Sequence, residues 1–353
     1  MTDTYQLVEL PPGEGLDGPY RWLHEGLAAV SRADVLTTYG APELVRSAEE
    51  YSVLLADTTR YEHRRAVMVP TAAPTTVVAH ASVDLPLADN QDVAEFGLLV
   101  DANYRSCGLG ARLYDWAETV ARKARRCEWV GWLDVPPVSP TTTLVVGLGA
   151  ARVPADLAGW RFATRRGWAF RGFVHVFRLD LTSASLPQAP CPPAVRLETW
   201  TDGVPPQWRA SYADLMAQDG NLLGGIGPAE GEWDEQRVGD EADTIAAMGR
   251  TELIIAAITV PASELVGVAD FDCAAPPDHH AQGGVRVVPA GRRPPGLVLA
   301  LTSHGLCELR RRRPDLRSVF TWTTGNDAEL TMALVDLGFS EIGGSAILWL
   351  DKP

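Results

Sequence analysis

The pattern of hydrophobic and polar positions predicts one succession of strands and helices that occurs twice along the chain. Alternating or Val-rich runs predict strands, and apolar residues at helical spacing predict helices. The longest helix of the first half, residues 110–126, carries its apolar stripe on Leu113, Ala117 and Ala121. The first half is predicted to contain strand 5–10, helices 20–32 and 42–56, strands 64–69, 76–85 and 94–100, helix 110–126, strand 129–135, helix 157–166 and strands within 170–181.

The second half repeats this order. It is predicted to contain strand 195–199, helices 206–218 and 233–248, strands 253–260 and 265–272, a weak strand 284–288, helix 296–313, strand 319–323, helix 327–337 and strand 342–350. Two turn glycines, Gly108 and Gly296, lie 188 residues apart, which is about half the chain. A Pro- and Ser-rich stretch offers little to bury and separates the halves. We therefore predict an N-terminal domain at 1–182, a linker at 183–193 and a C-terminal domain at 194–353.

Composition and charge narrow the classes of function. The chain has 353 residues and a formal net charge of −14, which argues against nucleic acid or an anionic membrane as partner. Its five cysteines form no C-x-x-C pair, which fits a reducing compartment and a protein without a metal site. The start of the sequence has no signal-peptide pattern, and no apolar run reaches the length of a membrane span. These features predict a cytoplasmic protein.

One segment carries recognisable chemistry. Residues 95–110 read EFGLLVDANYRSCGLG, so a strand ends and an R-x-x-G-x-G turn opens the amphipathic helix. Such a turn directs several backbone N–H groups toward one point at a helix N-terminus, which suits a pyrophosphate. Gly108 and Gly110 permit a close approach of the backbone, and Arg105 adds a cation. None of the residues from Arg105 to Gly110 is a proline, so each retains its N–H.

This segment resembles the acyl-CoA-binding motif of the GCN5-related N-acetyltransferase (GNAT) superfamily. Residues 162–168, FATRRGW, resemble the later helix and Gly-aromatic turn of that family, and residues 326–339 resemble the same motif in the second half. The resemblance covers about 300 residues as two tandem units. It implies an α/β (α+β) fold in which each domain has a central mixed, mostly antiparallel sheet flanked by helices. It also implies a cleft between the fourth and fifth strands for the pantetheine arm.

The resemblance assigns roles by position. The backbone of the strand end would pair with the pantetheine amides, and the turn would hold the pyrophosphate of acetyl-CoA or another acyl-CoA, without a metal. Glu95 would be the general base that deprotonates the amine, although a solvated strand Glu or an ion-pair partner is the alternative interpretation. The acyl-CoA-binding residues implied in this way are Leu98, Leu99, Val100, Arg105, Ser106, Cys107, Gly108, Leu109, Gly110 and Ala111.

The corresponding turn of the second half departs from this motif. Residues 293–298 read RPPGLV, so two prolines remove N–H donors and Val298 stands where the motif has glycine. We therefore expect the second unit to bind CoA poorly or not at all.

A general acid for the leaving thiolate is missing from the expected place, because Phe162 or Ala163 stands where the family often has Tyr. Tyr104 and Tyr114 are candidates by sequence proximity only, and packing is the alternative for both. His80 is a further candidate for the cleft, with a hydrogen-bonded core histidine as the alternative. Cys107 is not expected to be a nucleophile, since direct transfer needs none.

The leading functional prediction is an acetyl-CoA-dependent N-acetyltransferase that acts on a small-molecule amine, with catalysis in the N-terminal domain. Two alternatives remain open at this point: a non-catalytic acyl-CoA sensor or scaffold, and a protein-lysine acetyltransferase. The expected assembly is a monomer or homodimer.

Overall fold

The computed structural model describes residues 4–11, 13–138, 144–146, 152–201, 203–219, 231–275, 279–325 and 327–351. Contacts divide the chain into two compact units. Among the described residues, unit 1 comprises those up to Phe173 and those from Ser345 on, and unit 2 comprises those from Val174 to Gly344. Contacts thus group the C-terminal residues with unit 1, because strand pairing joins segments distant in sequence. The bounds 1–182, 183–193 and 194–353 remain a prediction about the sequence repeat.

Unit 1 follows the predicted order of elements. In chain order it contains β1 (Tyr5–Leu10), α1 (Arg21–Tyr39), α2 (Ala48–Ala56), β2 (Tyr61–Pro70), β3 (Ala79–Pro86), β4 (Val93–Val100), α3 (Leu109–Lys123), β5 (Glu128–Val135), the short paired strands β6 (Leu144–Val146) and β7 (Arg152–Pro154), α4 (Ala158–Thr164) and the start of β8 (Ala169–Asp180).

Unit 2 repeats that order. It contains the rest of β8, then β9 (Val195–Thr201), α5 (Arg209–Asp219), α6 (Glu235–Ala247), β10 (Thr251–Thr259), β11 (Leu265–Cys273), β12 (His280–Val287), α7 (Leu297–Arg312), β13 (Ser318–Thr323), α8 (Ala328–Asp336) and the start of β14 (Ser340–Asp351). The weak strand expected at 284–288 therefore begins four residues earlier.

Each unit has a mixed, mostly antiparallel sheet, which confirms the expected fold class. In unit 1 the order is β1-β2-β3-β4-β5, followed by the residues of β14 from Ser345 on. The first four strands pair antiparallel, and β4 pairs parallel with β5. In unit 2 the order is β8-β13-β12-β11-β10-β9, and only β12 and β13 pair parallel.

Two predicted helices differ in extent from the observed ones. The segment 42–56 forms a short 3₁₀ turn and then α2, because Ser47 and Glu50 form a capping box that starts a new helix. Helix α1 continues to Tyr39, seven residues past its predicted end, and stops at Gly40 with φ +64°. The added turns carry Asp34 and Tyr39, which both belong to the site described below.

Helix α3 fixes the turn of interest against the sheet. Its buried face consists of Leu109, Leu113, Tyr114, Ala117 and Ala121, at spacings of three and four residues. Leu109 and Leu113 pack in one apolar cluster with residues of β2 and β3, whereas Tyr114, Ala117 and Ala121 pack in another with residues of β4 and β5. The N-terminus of α3 is thereby held at the end of β4.

Candidate active site

Strands β4 and β5 separate within unit 1, which opens a cleft in its sheet. Their pairing ends at Phe96 opposite Gly131, although β4 continues to Val100 and β5 to Val135. Backbone groups along such an unpaired edge can bond to an added strand-like segment. Residues 98–100, for which the family resemblance implies contact with the pantetheine arm, lie in this open half of β4.

The turn after β4 is shaped by its own side chains and by two left-handed residues. Asp101 accepts a hydrogen bond at 2.8 Å from the backbone N–H of Asn103, which supports a short 3₁₀ turn. Ser106 then has φ +64° and Gly108 has φ +81°, immediately before α3 begins at Leu109. No atom lies within 4 Å of a Cβ placed on Gly108, so the positive φ alone favours glycine there.

This geometry leaves backbone donors at the helix N-terminus. The first N–H groups of an α-helix have no partner inside the helix, and the helix dipole favours an anion near them. In the described part of the chain, the backbone N–H groups of residues 106–111 donate no hydrogen bond. The residues assigned to the pyrophosphate therefore lie together at one helix end with free donors.

Gly110 leaves a gap between β4, α3 and α4. A Cβ on this glycine would lie 3.6 Å from Val100 Cγ2, 3.7 Å from Leu98 Cδ2 and 3.4 Å from Phe162 Cε2. A small side chain would thus occupy the space bounded by the open half of β4 and the two helices. The gap at Gly110 is therefore about the size of one methyl group, and it lies beside the free N–H groups.

Arg105 is engaged with the protein. Its Nε donates to the carbonyl oxygen of Val100 at 3.1 Å, and its Nη2 lies 2.9 Å from Asp34 Oδ1 on α1. Burial raises the pKa of Asp34, although the Arg105 charge opposes that effect. Arg105 therefore ties the turn to β4 and α1, and its Nε occupies the carbonyl oxygen of Val100. The contact of Arg105 with a pyrophosphate remains a prediction.

Glu95 lies at the end of a polar row that crosses three adjacent strands. His63 on β2 is opposite Asp84 on β3, which is opposite Glu95 on β4. Burial and the nearby negative charge of Asp84 raise the pKa of Glu95 to about 7, although a hydrogen bond with Tyr61 opposes this. Glu95 is therefore a half-buried carboxyl that changes charge near neutral pH, one residue from where β4 and β5 part.

The neighbouring carboxylate, Asp84, is held ionised. Arg65 binds both of its oxygens, at 2.7 and 3.1 Å, and His63 Nδ1 lies 2.6 Å from Oδ1. Although burial opposes ionisation, Arg65 and His63 together lower the pKa of Asp84. Two carboxyls side by side thus differ in proton affinity because only one of them has cationic partners.

Unit 1 contains a second polar pair that the sequence pattern did not predict. The hydroxyl of Tyr39, on α1, donates to Asp134 Oδ1 at 2.9 Å, and Asp134 lies in the open half of β5. Burial raises the pKa of both groups. A carboxylate inside the otherwise apolar strand WVGWLDV was a usable signal, but its partner lay beyond the predicted end of α1.

The tyrosines considered as general acid are both packed. Tyr104 makes an edge-to-face contact with Tyr5, with ring centroids 6.3 Å apart. Tyr114 is buried on α3, where the indole N–H of Trp168 donates to its hydroxyl at 3.3 Å and its ring meets Phe162 edge-on. His80 contacts Ser31 Oγ through Nε2 at 3.1 Å, and burial lowers its pKa to about 4.

The corresponding turn of unit 2 has a similar outline and different contents. Arg293 Nε donates to the Val288 carbonyl at 3.3 Å, and Gly296 has φ +75° before α7 begins. Val298 is fully buried, and the N–H of Leu297 is already bonded to the carbonyl of Pro294 at 3.2 Å. Unit 2 therefore keeps the shape of the turn, but this turn has fewer free backbone N–H donors, and the side chain of Val298 fills the space that Gly110 leaves in unit 1.

None of the helices in the described ranges is long and apolar enough to cross a membrane. Within the same residues, no group of three or more His, Cys, Asp or Glu side chains is placed to hold a metal ion.

Comparison with protein families agrees with this geometry. Residues 34–139 match the model of the Acetyltransferase (GNAT) family, a range that includes Asp34, Glu95, the turn and Asp134. A search of curated proteins finds no match.

Solved structures resemble the chain over nearly its whole length. A tandem GNAT protein from the clavulanic acid biosynthesis pathway has a TM-score of 0.74 at 17% identity, and the match covers 98% of each chain. A GCN5-related N-acetyltransferase from Sphaerobacter thermophilus has a TM-score of 0.68 at 15% identity, covering 100% of this chain and 98% of that one. A putative acetyltransferase from Pyrococcus horikoshii has a TM-score of 0.55 at 11% identity, with coverages of 100% and 91%. At these identities the likeness concerns the fold.

Proposed function

We propose that the chain is a tandem protein of the GNAT superfamily of acetyltransferases, and that unit 1 transfers an acetyl group from acetyl-CoA to the amine of a small molecule. One observation carries the proposal. The turn with the free N–H groups directly follows β4, the strand that carries Glu95, and the pKa of Glu95, about 7, suits a base at neutral pH.

The residues of the turn fit acyl-CoA in this proposal. Backbone N–H groups of Ser106, Cys107, Gly108, Leu109, Gly110 and Ala111 would bind the pyrophosphate. The backbone at Leu98, Leu99 and Val100 would bind the pantetheine arm along the open edge of β4. Acetyl-CoA supplies the activated acyl group, and no metal is needed.

Glu95 would take the proton that the acceptor must lose. An alkylammonium group has a pKa near 10.4, so a small-molecule amine is almost fully protonated at pH 7. A carboxylate with a pKa of about 7 is half ionised there, and it is a stronger base than an ordinary Glu. Asp84 keeps its charge beside it and sustains that raised pKa.

The same proposal covers the acceptor, the cellular compartment and the oligomeric state. We take the acceptor to be a small-molecule amine, and the protein to act in the cytoplasm as a monomer or homodimer, without nucleic acid or membrane as partner. The acidic net charge and the carboxyls of the cleft support a cationic acceptor.

The test is Glu95→Gln, assayed by thiol release from acetyl-CoA with a panel of small amines. We expect kcat/KM to fall well over tenfold, within the roughly 10²–10⁴-fold range of general base catalysis. Because Glu95 is the base only when ionised, the wild-type rate should rise with pH through about 7, and the variant should lose that rise. Glu9→Gln removes the same charge from an exposed position on β1 and is the control.

Other results would contradict the proposal in distinct ways. A Glu95→Gln enzyme with a nearly unchanged rate and the same pH profile removes Glu95 from the mechanism. Binding of acetyl-CoA by the wild type, without thiol release for any amine, favours a sensor or scaffold. Acetylation of a lysine peptide in preference to small amines favours a protein-lysine acetyltransferase.

A further inference from the structure

Unit 2 contains a cavity of about 290 Å³ that the proposed reaction does not use. Strands β10 to β13 form one side of it, and side chains of α5 and α6 form the other. Ligand pockets typically measure about 300–1,000 Å³, so this cavity suits a small molecule.

The charge of the cavity wall is strongly negative. Glu241, Glu252, Asp270 and Asp272 line it, and Arg286 is the cation among its lining residues. With Glu252 neutral, the other three carboxylates against Arg286 leave a net charge of −2 among the lining residues, and this becomes −3 once Glu252 ionises above a pH of about 8. A field of this sign favours a cationic ligand and opposes an anionic one.

Three of these carboxylates have partners within the protein. Glu241 Oε1 lies 3.8 Å from Arg237 Nε. Asp270 is bonded by Arg286, by the backbone N–H of Gly284 at 3.2 Å and by the hydroxyl of Tyr212 at 3.5 Å. Asp272 is bonded by Arg250 at 3.2 Å. Asp270 and Asp272 are therefore committed to holding the wall of the cavity in shape.

Glu252 differs from them. Among the described residues its side chain makes no hydrogen bond or ion pair, although it lies on β10 between these charges. Burial and the charges of Asp270 and Asp272 raise its pKa to about 8, and the charge of Arg286 opposes them. A cation in the cavity would supply the partner that this carboxylate lacks.

Aromatic rings complete the wall. Tyr212 on α5, Trp233 before α6 and Trp322 on β13 line the cavity. The face of an electron-rich ring attracts a cation. Arg237 already covers a face of Trp233, 4.0 Å from the ring centroid, so Tyr212 and Trp322 are the other rings that can meet a ligand. The cavity thus places aromatic rings beside Glu252, whose carboxyl has no bonded partner among the described residues. Rings and a carboxylate together can recognise ammonium and guanidinium groups.

The cavity lacks the residues that acyl transfer is proposed to use in unit 1. With the offset of 188 that relates Gly108 to Gly296, Gly283 stands at the position of Glu95, and a Cβ on it would lie 2.1 Å from the Asp270 carbonyl oxygen. The gap that Gly110 leaves open in unit 1 is occupied here by Val298.

We propose that the cavity of unit 2 binds a small organic cation, carrying an ammonium or guanidinium group, without acylating it. Glu252 is the carboxylate that pairs with the cation, and the aromatic rings hold its apolar part. This site is distinct from the amine site proposed for unit 1.

The experiment is calorimetric titration of the full chain, without acetyl-CoA, with 2-phenylethylamine and with agmatine. The uncharged isostere 2-phenylethanol measures the contribution of charge. We expect at least one of the two cations to bind at least about tenfold more tightly than the alcohol, and Glu252→Gln to remove most of that difference. Glu264→Gln, an exposed change of the same charge in unit 2, should leave the affinity unchanged.

The variants separate this proposal from the one for unit 1. Glu252→Gln should leave thiol release from acetyl-CoA unchanged, and Glu95→Gln should leave binding at the unit 2 cavity unchanged. The proposal is overturned if neither cation binds, if the alcohol binds as well as the amine, or if Glu95→Gln removes binding while Glu252→Gln does not.

The pH dependence gives a second measurement. Glu252 is neutral below a pH of about 8, whereas an alkylammonium group stays charged up to about pH 10. Since the ionised fraction of Glu252 rises from roughly 3% at pH 6.5 to roughly 76% at pH 8.5, the affinity for 2-phenylethylamine should rise by up to about 25-fold in the wild type and stay flat in Glu252→Gln. Flat behaviour in both proteins would contradict the role of Glu252.

Discussion

The turn at Arg105–Gly110 and the turn at Arg293–Val298 have the same framework. In each, an arginine Nε donates to a carbonyl at the end of the preceding strand, at 3.1 Å in unit 1 and 3.3 Å in unit 2. In each, a glycine with positive φ, 81° and 75° respectively, begins the following helix. An acidic side chain binds the arginine in both, Asp34 for Arg105 and Glu329 for Arg293.

The differences lie in the residues that would meet a ligand. Ser106 has φ +64°, whereas Pro294, at the corresponding position, has its φ fixed near −65° by its ring. Gly110 leaves a gap, and Val298 is fully buried at the same position. The turn of unit 2 therefore keeps the arginine and the glycine but lacks the backbone N–H donors and the small residue of unit 1. The shared arginine and glycine alone do not make an anion site.

The largest expected effect comes from giving unit 1 the side chain found in unit 2. Gly110→Val places two methyl groups beyond a Cβ that already lies 3.4–3.7 Å from Phe162, Leu98 and Val100. Overpacking should lower the free energy of unfolding by about 1–3 kcal/mol. Because the displaced Leu98 and Val100 belong to the proposed pantetheine site, acetyl-CoA affinity should also fall, by roughly 100-fold, measured by calorimetric titration.

The reciprocal change, Val298→Gly, is the control for Gly110→Val. It opens the gap in unit 2 but restores no N–H donors, so the number of acetyl-CoA molecules bound per chain should not increase. Tight binding by Gly110→Val would show that the gap is not part of the site.

The second change transfers the prolines. Ser106→Pro with Cys107→Pro removes two N–H donors and excludes the left-handed φ at position 106. Each hydrogen bond to a charged group contributes about 1.5–3 kcal/mol, and part of the loss is recovered by water, so a decrease in acetyl-CoA affinity of about 30-fold is expected.

Ser106→Ala with Cys107→Ala is the matched control, since it alters both side chains and keeps both N–H groups. Affinity near the wild-type value in this control, together with weak binding by the proline variant, would assign the effect to the backbone. Equal losses in both variants would assign it to the side chains.

Much of this comparison was available from the sequence. Hydrophobic periodicity predicted the order of the elements in both units, and the prolines and Val298 distinguished the second turn. The sequence did not predict the contacts of Asp34 and Tyr39. Polar residues after position 30 interrupt the apolar pattern of α1, although the helix itself continues to Tyr39 and is capped by Gly40. The pKa of Glu95 depends on Asp84, and only the strand register places these two carboxyls opposite each other.

The grouping of the C-terminal residues illustrates the same limit. Residues 345–351 read as an ordinary final strand of the second half, and nothing in their alternation specifies which sheet they join. The contacts place them in unit 1. Pairing between distant segments is set by tertiary packing, which local pattern does not encode.

The smallest expected effect concerns the two arginines. The Arg105 side chain is 43% exposed, and exposed ion pairs contribute about 0–1 kcal/mol, so Arg105→Ala should weaken acetyl-CoA binding by no more than about fivefold. Arg293 is only 10% exposed and bonds Asp327, Glu329 and the carbonyl of Val288, so its removal breaks three contacts of a largely buried guanidinium. Arg293→Ala should therefore lower the free energy of unfolding by about 1–3 kcal/mol, measured by denaturant titration, while acetyl-CoA binding is unchanged. If Arg105→Ala instead abolished binding without loss of stability, the guanidinium would be a direct ligand of the pyrophosphate, and the likeness between the two turns would not extend to the function of their arginines.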